Sequence, residues 1–480
     1  MLKADVLVIG AGAVGCAITR ELTKYDLKVI CVEKNPDVGG LASKSNSAII
    51  HTGYDAAPGT LESELVVAAN PMYDQIAQDF DVPFSRIGAI LPAITDEQFE
   101  QLPALKAKAF KNRVFDVEYV SGDEIMAIEP EVSPKVQGGL YIPRESIIDP
   151  FLLVVGYAEN AVQNGARFLF NTKVIGMKVE DGKVVGVETD ANGVIEATYI
   201  VNAAGLYCDE VASFVGKDDY HVNPRKGQFF ILDKNTECKV NHIVLPIPTK
   251  LTKGKLMCPT THGNMLVGPT AEDGTDKLDT STNREGLDSI MDDVRKLIPG
   301  VCFRDAITQF SGLRPNRNPE GLHIDTYQDL KNYVNISGVR STGLTCSASI
   351  GVYVSQVLVS IGMDARPNWR FNPKREGIPC FRDLPESGRQ QLVEQDPRFG
   401  RVICRCETIT EGEIVRAIHS TIPATSVDAI KRRLRAGMGR CQGGFCGPKV
   451  IEILSREMGV AEEEIEKGSR GSYMLVGKAK

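Results

Sequence analysis

From Ala4 to Lys34 the chain runs through an apolar stretch, a glycine turn, a segment with helical spacing of its apolar residues and a second apolar stretch. That order predicts a strand, a helix and a second strand, a βαβ unit. Strand-like runs recur in "KVIGMKV", "KVVGVET" and "TYIVNAAG", so a long α/β body is expected to follow. The apolar stretch from Ser347 to Met363 is broken by Ser355 and Gln356. It falls short of the ~20 residues of a membrane span and predicts a buried helix. Between Asp364 and Gln395, four prolines and many charges replace hydrophobic periodicity, which predicts a linker. Beyond it, "CETITEGEIVRAIHS" and "GPKVIEILSREMG" predict two short helices of a compact terminal module, the first opened by a Thr410–Glu413 capping box.

Composition narrows the field. A chain of 480 residues with 42% hydrophobic content can bury a large core and form two to four domains. A net charge of -7 supplies no broad basic field for nucleic acid or anionic lipid. The first residues enter a strand at once and leave no room for a signal peptide, so the expected compartment is the cytoplasm and no transmembrane segment is expected. In that reducing setting the 12 cysteines are not expected to form a disulfide framework. Eight of them, Cys16, Cys31 and Cys208 among them, are scattered and read as small core residues.

Two motifs carry chemistry. Gly10, Gly12 and Gly15 form GxGxxG between a strand and a helix, and Glu33 ends the next strand 18 residues after the third glycine. Helix-start N–H groups would face a pyrophosphate and the acid a ribose hydroxyl; the dinucleotide is NAD or FAD. Near the end, Cys404-x-Cys406 and Cys441-xxxx-Cys446 supply four sulfur ligands, enough for structural zinc or a [2Fe–2S] cluster, with zinc less suited because it favours CxxC spacings. Lys431, Arg432, Arg433, Arg435 and Arg440 precede Cys441 and are expected either to offset the cluster's negative charge or to form a solvated basic helix. Pro448 suits a first helical position, which would aim helix-start N–H groups at the cluster.

"SKSNSAIIHTGYDAAPGTLESELV", "NAAGLYCDEVA", "LVGPTAEDGTDKLDTS", "GLRP" and "STGLTCSASIGVYV" together resemble the glycerol-3-phosphate dehydrogenase and oxidase branch of the D-amino-acid-oxidase-like flavoenzymes, from about Ala4 to Gly362. That branch is also close to L-2-hydroxyglutarate oxidases. The tail from about Val402 to Met458 resembles the bacterioferritin-associated-ferredoxin-like [2Fe–2S] domain found at the end of several flavin dehydrogenases.

The resemblance implies FAD and an α/β fold. A Rossmann-like FAD-binding domain would be assembled from residues 1–75, 140–220 and 325–365, and an antiparallel-sheet substrate domain from 76–139 and 221–324. A linker at 366–395 and a small helical [2Fe–2S] domain at 396–480 would follow. Glu33 would bind the adenosine ribose, and Ser43, Ser45, Asn46 and Ser47 would line the flavin and its phosphates, although a serine-rich turn is also a common helix cap. Val174 is similar to the position that touches adenine through its backbone. Gly205, Gly343, Leu344 and Thr345 would close around the pyrophosphate and isoalloxazine.

His51 lies in the stretch that crosses the substrate face in similar flavoenzymes, and a neutral imidazole there is the natural base for an alcohol proton; in some relatives a histidine carries covalent FAD instead. Arg314 is the matching anion site for a phosphate or carboxylate, with an ordinary ion pair as the competing role and Arg317 as a basic neighbour on the same loop. Lys253 or Lys255 resembles the phosphate-holding lysine of the glycerol-3-phosphate enzymes.

Together these imply a dehydrogenase that oxidises sn-glycerol 3-phosphate to dihydroxyacetone phosphate. Its electrons would leave through the cluster, as in the large component of three-part anaerobic enzymes, to flavin or iron–sulfur partner proteins that could also tether it peripherally to a membrane. A 2-hydroxy acid such as L-2-hydroxyglutarate is the second substrate reading and amine or imino-acid oxidation the third. A non-catalytic electron-transfer subunit is the reading from another class.

Overall fold

The computed structural model describes residues 2–248 and 254–477. Its first layer is an eight-stranded sheet with Leu2–Ile9 near the middle, flanked in parallel by Val29–Val32 and Gly193–Asn202. Leu330–Ser337 adds to Gly193–Asn202 in parallel, and the Val174–Glu180 and Lys183–Thr189 hairpin extends the sheet antiparallel. Parallel strands covered on both faces need apolar residues at successive positions. Val6, Leu7, Val8 and Ile9 are accordingly all buried.

Helices Ala13–Leu22, Pro150–Gln163 and Gly343–Ser360 pack together on this sheet. The last is long and apolar enough by composition to cross a membrane, yet 61% of it is buried inside the protein. Its Leu344, Ile350, Val354 and Leu358 belong to the largest core cluster, each worth about 1.5–3 kcal/mol when fully buried.

The second layer is a nine-stranded sheet drawn from two stretches of chain. Its long strands His221–Leu232 and Ala306–Asn318 run antiparallel and set Arg225 directly opposite Arg314. Gly138–Ile142 pairs with Ala89–Ala93 in this layer, so the chain returns to the first layer after Ile142 rather than at residue 140. His323–Tyr327 belongs to the first sheet, which moves the later crossing ahead of residue 325.

The stretch expected as a linker is ordered structure. Arg375 is buried against Glu159, with Nη1 donating to the Phe80 carbonyl at 2.9 Å, and Glu386–Gln395 forms a helix. Its apolar contacts are too sparse to generate a periodic pattern, because hydrogen bonds and ion pairs hold most of it down.

Among the described residues the tail has three α-helices rather than the two expected: Glu411–Ile418, Val427–Leu434 and Gly447–Met458. The Thr410–Glu413 capping box forms. The middle helix escapes the hydrophobic pattern because Arg432 and Arg433 are buried beside Ala429, Ile430 and Leu434.

Candidate active site and thiol centre

The turn after the first strand depends on glycine. Gly10 has φ +102°, and a Cβ on it would stand 2.7 Å from the Ala203 carbonyl oxygen. A Cβ on Gly15 would stand 1.8 Å from the Gly10 oxygen, so the helix can start this close to the strand only without one. Glu33 follows directly, its Oε2 accepting the Ala11 N–H at 2.8 Å and its Oε1 the Asn35 side-chain amide at 2.6 Å. Burial pushes its carboxyl up in spite of these bonds.

The serine-rich turn does local work as well as lining space. Ser43 Oγ accepts the Ala13 N–H at 2.9 Å, a helix cap supplied from a distant loop. Asn46 donates to the Ser43 carbonyl at 2.7 Å and accepts the Ala48 N–H at 2.8 Å, bracing a turn in which Ala48 has φ +60°.

A cavity of about 690 Å³ lies between the two sheets. Gly10, Gly12, Glu33, Ser43, Ser45, Asn46, Ser47, Gly205, Gly343 and Leu344 line it, together with His51 and Arg314. Three expected cofactor residues are not among those that line it. Gly15 closes the helix onto its strand. Val174 is buried at the start of its strand, paired with Thr189. Thr345 Oγ1 accepts the His51 N–H at 3.0 Å.

His51 is held by a residue that no sequence pattern indicated. Glu145, fully buried, places Oε2 3.0 Å from His51 Nδ1, while its Oε1 accepts the Thr52 N–H at 2.6 Å and the Thr52 hydroxyl at 2.9 Å. A carboxylate beside Nδ1 favours the tautomer with its proton there. That leaves the Nε2 lone pair for the cavity side of the ring.

Arg314 sits on the strand Ala306–Asn318 rather than on a loop. Its guanidinium lies across the neighbouring strand, where a Cβ on Gly227 would come within 2.5 Å of Nη2. Its contacts are long ones to the carbonyls of Thr270 at 3.4 Å and Arg225 at 3.5 Å. Among the described residues no carboxylate pairs with it. Burial, then the nearby Arg225 and Arg340, pushes its pKa down to about 10, so this positive charge is uncompensated where it meets the cavity.

Arg225, Arg340 and Lys108 also line that space, and sequence reasoning missed all three. Arg225 is paired with Asp273 at 2.9 Å and Arg340 with Glu320. Arg317 points elsewhere: Nη1 donates to the Pro319 carbonyl at 2.8 Å and the guanidinium lies over the Tyr220 ring, because alternate residues of a strand face opposite sides. Lys255 is drawn to the helix Arg284–Leu297, with Nζ 2.6 Å from Asp293 Oδ2 and 2.8 Å from the Ser289 carbonyl. Lys253 lies outside the described residues.

The four thiols of the tail stand as two pairs. Cys406 Sγ is 3.8 Å from Cys441 Sγ. Cys404 is bonded by Cys446, which with the Gly437 and Glu407 backbone groups brings the Cys404 thiol down to about 6 against its burial. Among the described residues no three ligating groups surround a single point as one metal ion requires. Two such pairs would suit a [2Fe–2S] cluster, with Cys404, Cys406, Cys441 and Cys446 as its four thiolate ligands.

The basic run before Cys441 is a seam between layers rather than a counter-charge for the thiols. Asp37, on the loop after Glu33, accepts Arg432 Nη2 at 2.6 Å and both terminal nitrogens of Arg433 at 2.8 Å. Burial alone would raise Asp37, but the two guanidiniums outweigh it and hold the carboxyl at about 2. Glu407 Oε2 gathers Lys234 at 2.9 Å, Arg382 at 2.9 Å and Arg435 at 3.0 Å. Arg440 Nη2 donates to Asp233 Oδ1 at 3.0 Å, and Lys431 is half-buried. His262 joins the same seam between Arg382, 3.0 Å from Nδ1, and Asp149, 2.7 Å from Nε2. Arginine has no lone pair, so Nδ1 must accept and Nε2–H donate; burial lowers the imidazole's pKa, which agrees with this neutral form.

The seam fixes the thiols near the cavity. Phe229 lines the cavity, and Asp233, four residues on at about 3.3 Å each, is gripped by the residue preceding Cys441. Roughly 13 Å of strand separates the two points.

Residues 5–357 match the family described as FAD dependent oxidoreductase, DAO. The chain belongs to this family of flavoenzymes. Residues 402–456 match the BFD-like [2Fe-2S] binding domain. A glycerol 3-phosphate dehydrogenase of Caloramator mitchellensis is 42% identical over 477 residues, covering 99% of each chain. One subunit of the anaerobic glycerol-3-phosphate dehydrogenase of Escherichia coli K12 is 25% identical, covering 95% of this chain and 88% of that one. The solved structure of dithionite-reduced L-alpha-glycerophosphate oxidase from Mycoplasma pneumoniae with FAD bound superposes with a TM-score of 0.73 at 30% identity, over 78% of this chain and 99% of that one.

The protein is therefore an FAD-dependent oxidoreductase acting on CH–OH donors, with a [2Fe–2S] domain at its end. The residues on the cavity wall suit FAD: glycines that leave room at the first turn, Glu33 at the end of the second strand, and Gly205, on which a Cβ would meet nothing within 4 Å. Cys404, Cys406, Cys441 and Cys446 would hold the cluster. FAD, when bound, supplies a two-electron oxidant and the cluster a one-electron carrier.

Proposed function

We propose that this flavoenzyme oxidises sn-glycerol 3-phosphate to dihydroxyacetone phosphate and passes the electrons through the tail cluster to a partner protein on the cytoplasmic side. The observation that carries the reading is one cavity lined by both His51, braced by Glu145, and Arg314, which no carboxylate among the described residues neutralises. In it Arg314 grips the phosphate through its fork of donors. His51 takes the C2 hydroxyl proton at Nε2 while the hydrogen on C2 leaves with its electron pair. Arg225 and Arg340 also line the space, but each is ion-paired, which leaves Arg314 as the main anion-binding charge. The 42% identical glycerol 3-phosphate dehydrogenase supports the substrate, and the similarity to one subunit of the anaerobic Escherichia coli enzyme supports assembly with electron-transfer partners.

The test is the visible spectrum before and after anaerobic addition of glycerol 3-phosphate. Bleaching of the flavin, with electrons appearing in the cluster, is expected; a flavin left oxidised by glycerol 3-phosphate but bleached by L-2-hydroxyglutarate would overturn the substrate assignment. In Cys441→Ser, flavin bleaching should persist while reduction of an external one-electron acceptor is lost. Rapid, stoichiometric peroxide formation with unchanged turnover in that variant would show that the cluster is not on the route.

Arg314→Ala should lower kcat/KM for glycerol 3-phosphate by about 10- to 150-fold, the equivalent of about 1.5–3 kcal/mol for a hydrogen bond to a charged group. Oxidation of glycerol, which carries no phosphate, should change little. Equal losses for both compounds would assign Arg314 a structural role.

A further inference from the structure

We propose that the outer side of the thiol centre is the docking surface for an acidic one-electron carrier protein, with Phe445 as its apolar anchor and Arg405 and Lys449 as its basic rim. The proposal rests on the electron-exit reading above and names the surface through which that exit runs.

Phe445 immediately precedes the ligand Cys446 and is 85% exposed. Cys406 is exposed on the same centre, so the described residues leave this side uncovered. Single exposed apolar residues are ordinary; here the aromatic lies in sequence between Cys441 and Cys446, two of the thiols that would hold the cluster, where a partner must approach closely.

The exposed charge along the stretch that carries the thiols is mostly basic. From residue 401 to residue 452 the exposed charged side chains are Arg401, Arg405, Arg416, Arg440 and Lys449, with Glu452 the single acid among them. The other carboxylates of the same span are withdrawn: Glu407, Glu411 and Glu413 are buried and Asp428 is half-buried. This occurs on a chain whose net charge is -7.

Three of these cations flank the centre itself. Arg405 and Arg440 directly precede Cys406 and Cys441, and Lys449 lies three residues after Cys446. Arg405 and Lys449 have no carboxylate partner among the described residues, so they are available to another molecule. Lys449 also lies in the first turn of the helix Gly447–Met458, where a cation opposes the helix dipole and destabilises the fold locally. A negative charge close by, the cluster's own together with that of an anionic partner, would offset this cost. Basic residues around an apolar contact give fast, salt-sensitive association with an acidic protein, and an aromatic at the centre of a contact commonly carries much of its affinity.

The experiment uses the full chain with both cofactors and, as probe, a strongly acidic [2Fe–2S] ferredoxin. Titration calorimetry should give binding that weakens about tenfold or more between about 50 and about 200 mM salt. Phe445→Ala should weaken it about tenfold or more, and Arg405→Glu with Lys449→Glu should abolish its salt dependence. Flavin bleaching by glycerol 3-phosphate and the cluster spectrum serve as controls and should be unchanged in these variants. Ferredoxin binding equal in wild type and variants, or binding to anionic phospholipid vesicles in place of ferredoxin, would overturn the proposal. A failure of glycerol 3-phosphate to bleach the flavin, with ferredoxin binding as expected, would sink the substrate reading and leave the surface standing.

Discussion

Replacing His51 by alanine is expected to slow anaerobic flavin reduction by glycerol 3-phosphate by about 10²–10⁴-fold, the range for loss of a positioned general base. The alcohol must lose a proton as its hydrogen leaves, and the Nε2 lone pair on the cavity side is the acceptor proposed for it. Bound FAD should keep its spectrum and stoichiometry, because the His51 side chain is bonded to Glu145 rather than to the glycine turn. Glu145→Gln separates orientation from chemistry. A neutral amide can still accept the Nδ1 proton, but it no longer stabilises the imidazolium that forms, so a smaller loss is expected, about tenfold and carried by kcat more than by KM. Flavin reduction at the wild-type rate in His51→Ala would remove the base assignment. An unchanged rate and pH profile in Glu145→Gln would reduce that contact to a structural one.

What the sequence disclosed and what it concealed divide along one line: whether the signal is local. The glycine turn is local, because each glycine answers a clash within one strand–helix junction, and so is the Thr410–Glu413 box. The thiol pattern spans a longer stretch but is carried by residue type alone. Glu145 is different: it reaches His51 across 94 positions, from a turn whose residues have no periodic signature. Arg225 faces Arg314 only because two long strands pair in one register, and a shift of one residue would turn both away. Lys255 looked equivalent to its neighbour Lys253 until the helix bearing Asp293 packed beside it. The five basic residues before Cys441 read naturally as company for a cluster, since charge in a sequence carries no direction; folding sends Arg432 and Arg433 to a carboxylate nearly four hundred residues earlier.

That last contact governs how the tail sits on the flavin domain, and Asp37→Ala should destabilise it by about 3–5 kcal/mol, the usual result of removing one partner from a buried ion cluster. Arg433 would be left buried with its charge unpaired, and Arg432 nearly so. The same contact predicts a pH dependence. Asp37 has a folded pKa depressed from the ordinary 3.8 to about 2, so its contribution is complete above the unfolded value and is lost as pH falls through the folded one. At about 1.4 kcal/mol for each tenfold change in proton affinity the depression corresponds to about 2.5 kcal/mol. Between about pH 5 and about pH 2 the wild type should therefore lose stability more steeply than Asp37→Ala, and the two calorimetric curves for the tail's transition should converge at the acid end. Electron transfer from flavin to cluster should slow in the variant with both cofactors retained, since the strand that links cavity and thiols no longer meets a docked tail. A triple replacement of Asp37, Arg432 and Arg433 by apolar residues of similar volume should recover much of the lost stability. If it recovers stability but not the electron-transfer rate, the ion cluster sets the angle at which the tail docks; if it recovers both, apolar contact alone is sufficient to hold the tail in place.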